Sequence, residues 1–252
     1  MATQSRIRHA GLALLMILCA MTLSVSAQET AVEPKSDESV PPARTEYMGR
    51  QIALTMSYHG APWLIRKERE LEERCSLMLA NLGLEQGMTV CDMGCGNGFY
   101  ALQIAKIVGS TGRVLGVDIQ PEMLRLLKRR ASARRVRNIE PVLGTVADPN
   151  LPSGEVDLIL CVDVYHEFSH PERMLQAMRE SLSEKGVVVL LEYRAEDPDV
   201  PIKPLHKMSK AQIMKELPAN GFKLVKEFDG LPWQHMMFFG RDGEDDESPH
   251  DE

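Results

Sequence analysis

Cysteine is scarce in this chain, with five among 252 residues, and the first of them, Cys19, lies in an N-terminal apolar run. The other four, Cys75, Cys91, Cys95 and Cys161, invite a disulfide reading if the chain is exported. Cys91 and Cys161 fall in apolar stretches that read as central strands, however, so all four are expected as buried structural thiols. Cys91 and Cys95 lack the further partners a zinc site needs, and no metal-ligand set is read in the chain. Positive charge is also short: 29 Lys and Arg stand against 36 Asp and Glu, a formal net charge of −7. That balance excludes the broad basic surface on which general nucleic-acid binding rests. No internal repeat is present. Beyond the first 25 residues no apolar run is long enough to span a membrane.

What is there divides into four parts. Arg6, Arg8 and His9 precede an apolar run from Ala10 to Val25, and Val25-Ser26-Ala27 offers a small-residue cleavage site before Gln28. Residues 1–27 therefore read as a signal peptide, which implies export to a periplasmic or extracellular location. Retention as an uncleaved anchor is the alternative. Loss of Arg6 and Arg8, with no acid beside them, would leave a mature charge of −9. Residues 28–44 are rich in Glu, Pro, Ser and Asp without apolar periodicity, so a disordered linker is expected. Residues 45–240 can bury one substantial core, and residues 241–252 read as a disordered acidic tail.

The most informative stretch is Val90-Cys91-Asp92-Met93-Gly94-Cys95-Gly96-Asn97-Gly98. It reads as a buried strand, a glycine-rich turn and the start of a helix. Asp118 follows about twenty residues after the last glycine, at the tip of the next strand, where a carboxylate can accept from the two hydroxyls of an adenosine ribose. A glycine turn alone is a weak signal, because nicotinamide and flavin enzymes hold pyrophosphate on similar turns. Asp92 decides against that reading, since a carboxylate there repels a pyrophosphate but tolerates a cationic ligand. A Tyr-x-x-x-Lys pair, which would support a nicotinamide oxidoreductase, is missing as well.

The rest of the body alternates strands and helices. Strands are expected at 88–92, 113–118, 139–144, 156–162 and 186–192, with a terminal antiparallel hairpin from 223–228 and 235–239. Helices are expected at 66–82, 98–108, 121–135 and from Pro171 onward, and Pro121 and Pro171 suit helix starts. This pattern means an α/β, Rossmann-like, seven-stranded and mostly parallel sheet with helices on both faces. Seven basic residues between Arg125 and Arg137 are read as a solvated outer helix face.

The run Asp92-x-Gly94-x-Gly96-x-Gly98 resembles motif I of the class I S-adenosylmethionine-dependent methyltransferases. Leu115-Gly116-Val117-Asp118, Val156 to Asp163, and Leu182 to Leu190 resemble that family's later motifs in the same order. The resemblance covers roughly Leu71 to Gly240 and is closest to ubiquinone/menaquinone-type and other small-molecule methyltransferases. It implies S-adenosylmethionine as cofactor and direct methyl displacement onto a small-molecule acceptor. An exported protein that keeps the fold and binds the cofactor without catalysis is the second reading. The chain has no long additional domain for a DNA, RNA or protein acceptor, and its oligomeric state is left open.

Residue roles follow from the resemblance. Asp92, Gly94, Gly96 and Gly98 are assigned to the methionine part of the cofactor, Asp118 to the ribose and Ile119 to the adenine. Thr145, Val146 and Ala147 are the further adenine contacts, with Asp148 the nearest acid. After the fourth strand, Asp163 faces the cofactor and, with Tyr165 and His166, forms the catalytic set. His166 is the candidate general base, because its ordinary pKa suits proton removal near neutrality. The Asn/Asp-Pro-Pro-aromatic motif of amino-methylating relatives is missing there. A lid is expected from 47–69, including Tyr58, His59, Trp63 and Arg66, and a second wall from Glu192 to His206. Trp233 and His235 are read as structural.

Overall fold

The computed structural model describes residues 40–243. The segment expected as a signal peptide, most of the expected linker and most of the expected acidic tail lie outside the described residues. In chain order the body opens with a small antiparallel pair, β1 (Glu46–Tyr47) and β2 (Arg50–Gln51), followed by a 3-10 segment, Tyr58–Ile65. Two short helices come next, α1 (Arg69–Glu73) and α2 (Cys75–Asn81), then β3 (Thr89–Met93), α3 (Ala101–Ile107), β4 (Arg113–Asp118), α4 (Pro121–Ala133) and β5 (Ile139–Leu143). The second half contains β6 (Val156–Val162), α5 (Pro171–Ser181), β7 (Leu182–Arg194), β8 (Lys207–Met208), α6 (Lys210–Ala219), β9 (Phe222–Glu227) and β10 (Gln234–Arg241).

The main sheet has the order β5-β4-β3-β6-β7-β10-β9, with the two-residue β8 added beside β7. Strands β5, β4, β3, β6 and β7 run parallel, and β10 is antiparallel to both β7 and β9. The seven expected strands, the terminal hairpin among them, are therefore all present. Sidedness follows from the period of two in an extended chain. Val90, Leu158 and Leu160 point into a core shared with α2, α3 and α4. Their neighbours Cys91, Ile159 and Cys161 point into the opposite core, shared with α5 and α6. A strand buried on both faces has no polar side to present, which is why β6 reads Val-Asp-Leu-Ile-Leu-Cys-Val. All four described cysteines are free and buried, as expected.

Three elements differ from expectation. The helix expected over 66–82 is broken: Arg74 adopts a left-handed conformation, φ 51° and ψ 52°, between α1 and α2. Leu71, placed on the buried face by its spacing, is 84% exposed as a result, because the break rotates α1 away from the register of Cys75, Met78 and Leu79. Strand β7 begins at Leu182 rather than Gly186, with an irregular register against β6 between Val156 and Leu158. The basic face of α4 is only partly solvated. Arg130 reaches across to Asn97, bonding both its carbonyl and its side-chain oxygen, and Asn97 Nδ2 donates to Ala61 O at 2.7 Å. A charge run on a helix carries no mark of which member turns inward.

Candidate functional site

Strand β3 ends at the glycine turn, and two of its glycines show why no other residue fits. Gly94 has φ +63°, and a Cβ there would sit 2.5 Å from Val164 Cγ2. Gly98 has φ +77°, and its Cβ would meet Leu127 Cδ1 of α4 at 2.2 Å. The first glycine lets the turn pass beneath the loop after β6. The second lets α4 pack against the turn, so its role is in packing rather than ligand contact. Asp92, buried below the turn, accepts from Ala101 N at 2.8 Å and thereby caps α3. Burial pushes its carboxyl up to about 7, against the lowering effects of that hydrogen bond and of Arg69. Asp92 thus holds the turn and does not line the cleft.

Asp118, at the end of β4, is 7% exposed. Its Oδ2 accepts from Gly96 N at 3.0 Å and its Oδ1 from Gln120 N at 2.8 Å. Burial raises its pKa, while these backbone donors act to lower it. Each carboxylate oxygen retains a further lone pair for a ligand hydroxyl. The carboxylate therefore joins the glycine turn to the start of α4 and still faces the open space beside them.

That space is a cleft of about 560 Å³, within the range of small-ligand sites. Its floor is Met93, Gly94, Gly96, Asp118 and Ile119, and Thr145 and Val146 form one side. Ala147 is buried outside the lining, and Asp148 Oδ1 accepts from Asn150 N within its own loop. Of the segment expected as a lid, Thr55, Met56, Trp63 and Leu64 line the cleft, whereas Tyr58, His59 and Arg66 do not; Arg66 stacks over Trp63 at 3.3 Å from the ring centroid. The second expected wall is present as Tyr193, Ile202, Lys203 and His206. Gln120 fastens the lid: its Oε1 accepts from Tyr58 N at 2.8 Å and its Nε2 donates to Met56 O at 2.9 Å.

Asp163 lines the cleft, and its backbone is in a left-handed conformation, φ 51°. Its Oδ2 accepts from Gln234 Nε2 at 2.8 Å, whereas Oδ1 is shielded from water with no hydrogen-bond partner among the described residues. Burial first, then Glu73 and Glu192, raise its pKa well above the ordinary carboxylate value. His166 is 2% exposed and also lines the cleft. Its Nδ1 faces Glu192 Oε2 at 2.6 Å and its Nε2 faces His206 Nδ1 at 3.0 Å. Burial lowers its pKa, but Glu192 outweighs that and the net shift is upward. Glu167 sits beside it, pushed up to about 7 by burial, and its Oε1 accepts from Met56 N at 3.2 Å.

Tyr165 is a correction to the expected catalytic set. It is completely buried on the far side of the turn, where its hydroxyl donates to Glu216 Oε2 at 2.7 Å and its ring packs against Phe168. In a 3-10 turn, neighbouring side chains diverge by about 120°, so Tyr165 and His166 cannot face the same space. Gly98 likewise stands behind the lining. Glu192, Glu167 and His206 complete the site. The sequence assigns Glu192 and His206 only to a wall and gives Glu167 no role, because the relevant proximity comes from folding rather than spacing.

The sequence profile of the methyltransferase domain matches residues 84–237, which hold β3 to β9, the first half of β10 and this entire floor. The chain belongs to the methyltransferase-domain family. Demethylmenaquinone methyltransferase from Staphylococcus aureus is 25% identical over 170 residues, 67% of this chain and 68% of that protein. Protein-L-isoaspartate O-methyltransferase from Methanococcus maripaludis is 29% identical over 113 residues, so the match spans 45% of this chain and half of that enzyme's length. Among solved structures, a SAM-dependent methyltransferase from Aquifex aeolicus superposes with a TM-score of 0.69. At 23% identity, covering 73% of this chain and 98% of that one, it shows the shared fold.

S-adenosylmethionine is the cofactor this family implies, and the residues of this methyltransferase domain fit it. Asp118 has lone pairs available for a ribose diol. Ile119 and Val146 offer apolar surface beside it, and Asp163, whose Oδ1 is buried without a partner among the described residues, borders the same cleft. Asp118, Asp163 and Glu167 line the cleft together with Arg69 and Lys203, and Asp92 lies just beneath the glycine turn.

Proposed function

We propose that this protein transfers the methyl group of S-adenosylmethionine to a small-molecule acceptor. The observation that carries the reading is one cleft with two unlike ends. The Asp118 and Gly94–Gly96 end is built for a nucleoside, and the His166, Glu167 and His206 end meets it beneath a shared lid. The bound cofactor supplies an electrophilic methyl on sulfonium. The chain aligns donor and acceptor and excludes water, which is most of what direct displacement requires. Trp63, Leu64 and Met56 close the cleft from above, while Val164 stands over the turn at Gly94.

His166 is the acceptor-side group. With Nδ1–H given to Glu192, the neutral ring directs its Nε2 lone pair toward His206 Nδ1 at 3.0 Å, so the ionisable X–H of an acceptor would deliver its proton to this imidazole pair. The enclosed volume suits a small molecule, and the Staphylococcus aureus relative supports starting with quinol-like phenols. We also assign the protein to an exported location, on the strength of the basic start, the apolar run to Val25 and Val25-Ser26-Ala27. Incubation of the full chain with S-adenosylmethionine and a panel of phenols, thiols and amines, read as S-adenosylhomocysteine release, tests the activity. Release that depends on an acceptor and disappears in Asp118→Ala supports it. Cofactor binding without release on any acceptor class would contradict catalysis.

A further inference from the structure

We propose that His166, Glu167 and His206 bind a divalent first-row metal ion, of the zinc class, at the acceptor end of the cleft. This rests on the reading of that end as the acceptor site and deepens it. One ligand atom from each residue lies within 4.8 Å of the other two. His166 Nε2 and His206 Nδ1 are 3.0 Å apart and face each other, and Glu167 Oε1 is 4.0 Å from His166 Nε2. Two nitrogens on a tetrahedral ion at about 2.0–2.1 Å stand roughly 3.3 Å apart, so the imidazoles need to separate by only a few tenths of an ångström. Glu167 Oε1, at 4.0 Å from His166 Nε2, needs a larger inward movement, about 0.7 Å, which a rotation of its side chain supplies.

The supporting contacts also match a metal site. Glu192 engages His166 Nδ1 at 2.6 Å, which leaves Nε2 as the donor atom and fixes the ring plane. A carboxylate behind a ligating imidazole is the usual outer partner of a bound metal. Glu167 is oriented by the backbone N–H of Met56 in the lid. Two imidazoles and one carboxylate form a three-ligand set that leaves at least one position open, the arrangement of catalytic rather than structural zinc. All three residues line the cleft, so the open position faces the acceptor. Its natural occupant is an anionic oxygen or sulfur of the acceptor. His166 Nε2 then serves as a ligand, and the ion takes over ionisation of the acceptor.

The test is direct titration of the full, untagged chain with Co2+ after chelator treatment. Ligand-field absorption follows the site, Zn2+ competes for it, and calorimetry with S-adenosylmethionine is run on the same samples. One equivalent of Co2+ with tetrahedral bands is expected, displaced by Zn2+. Binding should be weakened at least about tenfold in His206→Ala and in Glu167→Gln, and retained in Asp118→Ala. Circular dichroism establishes that each variant is folded. Metal binding that survives in both ligand variants but is lost in His250→Ala would place it in the acidic tail and overturn the proposal. No saturable binding by the folded protein would overturn it too. Either result stands apart from failure of the methyltransferase reading, which is judged by cofactor binding and by acceptor-dependent S-adenosylhomocysteine release.

Discussion

Asp92 sits in an environment far from what its side chain prefers. Its carboxyl has a pKa of about 7 in the folded protein against an ordinary value of 3.8, so between those values it binds more protons folded than unfolded. Stability therefore falls as pH rises through that window and is fully present below it. Asp92→Asn keeps an oxygen to accept from Ala101 N but removes the buried charge. Denaturant titration across pH 4 to 8 should show wild-type stability declining on the order of a few kcal/mol, with the decline reduced in the variant. Equal slopes would show that Asp92 is not the titrating group. At Asp163 the same burial has another use, since Oδ1 lacks a partner among the described residues. Asp163→Asn should weaken S-adenosylmethionine binding by roughly 1–3 kcal/mol, read by calorimetry, while thermal stability changes little or rises. Unchanged affinity would separate that atom from the cofactor.

At the scale of elements, the glycine turn and the α1–α2 break make opposite predictions. Gly98→Ala combines a φ of +77° with a Cβ driven against Leu127, and should cost more than the roughly 1 kcal/mol of the backbone conformation alone. Gly83→Ala, also at positive φ but with nothing within 4 Å of its Cβ, serves as the control and should lose only the backbone part. Arg74→Gly should gain up to about 1 kcal/mol, or a few degrees in Tm, because an exposed arginine there occupies left-handed space. Equal melting temperatures for the two glycine variants would refute the packing role of Gly98. The same elements show what the sequence makes legible. Strand β6 and the turn after β3 are continuous in sequence, so their apolar runs and glycines identify them directly. The break at Arg74 is not legible, because arginine is an ordinary helix residue and nothing local demands αL. Tyr165 and His166 are adjacent in sequence, and only the 3-10 geometry of their turn separates the buried residue from the cleft residue.

Across the whole molecule, the lid is tied to the sheet through a buried ion pair. Glu73 is held by Arg69 Nε at 2.7 Å, by Arg66 at 2.6 Å and by the hydroxyl of Tyr193 on β7 at 2.9 Å. Arg69 Nη1 also donates to Leu64 O in the lid at 2.9 Å. Removing one partner strands the others, so Glu73→Ala should cost about 3–5 kcal/mol and weaken ligand binding together with it. A variant with unchanged chemical-denaturation midpoint would contradict the strap. None of these long-range pairings is legible beforehand, since Glu73 and Tyr193 are 120 positions apart and neither belongs to a recognisable motif. The nucleoside end is legible because turn, strand and carboxylate recur at fixed local spacing. The acceptor end is not, because it is assembled from His166 and Glu167 after β6, Glu192 on β7 and His206 in the following insert. The central claim is that Asp118 and the glycine turn hold S-adenosylmethionine, and calorimetric titration of the full chain beside Asp118→Ala tests it most directly. Saturable one-to-one binding that the folded variant loses is the predicted result. No binding by folded wild-type protein, or equal binding by both, would contradict it.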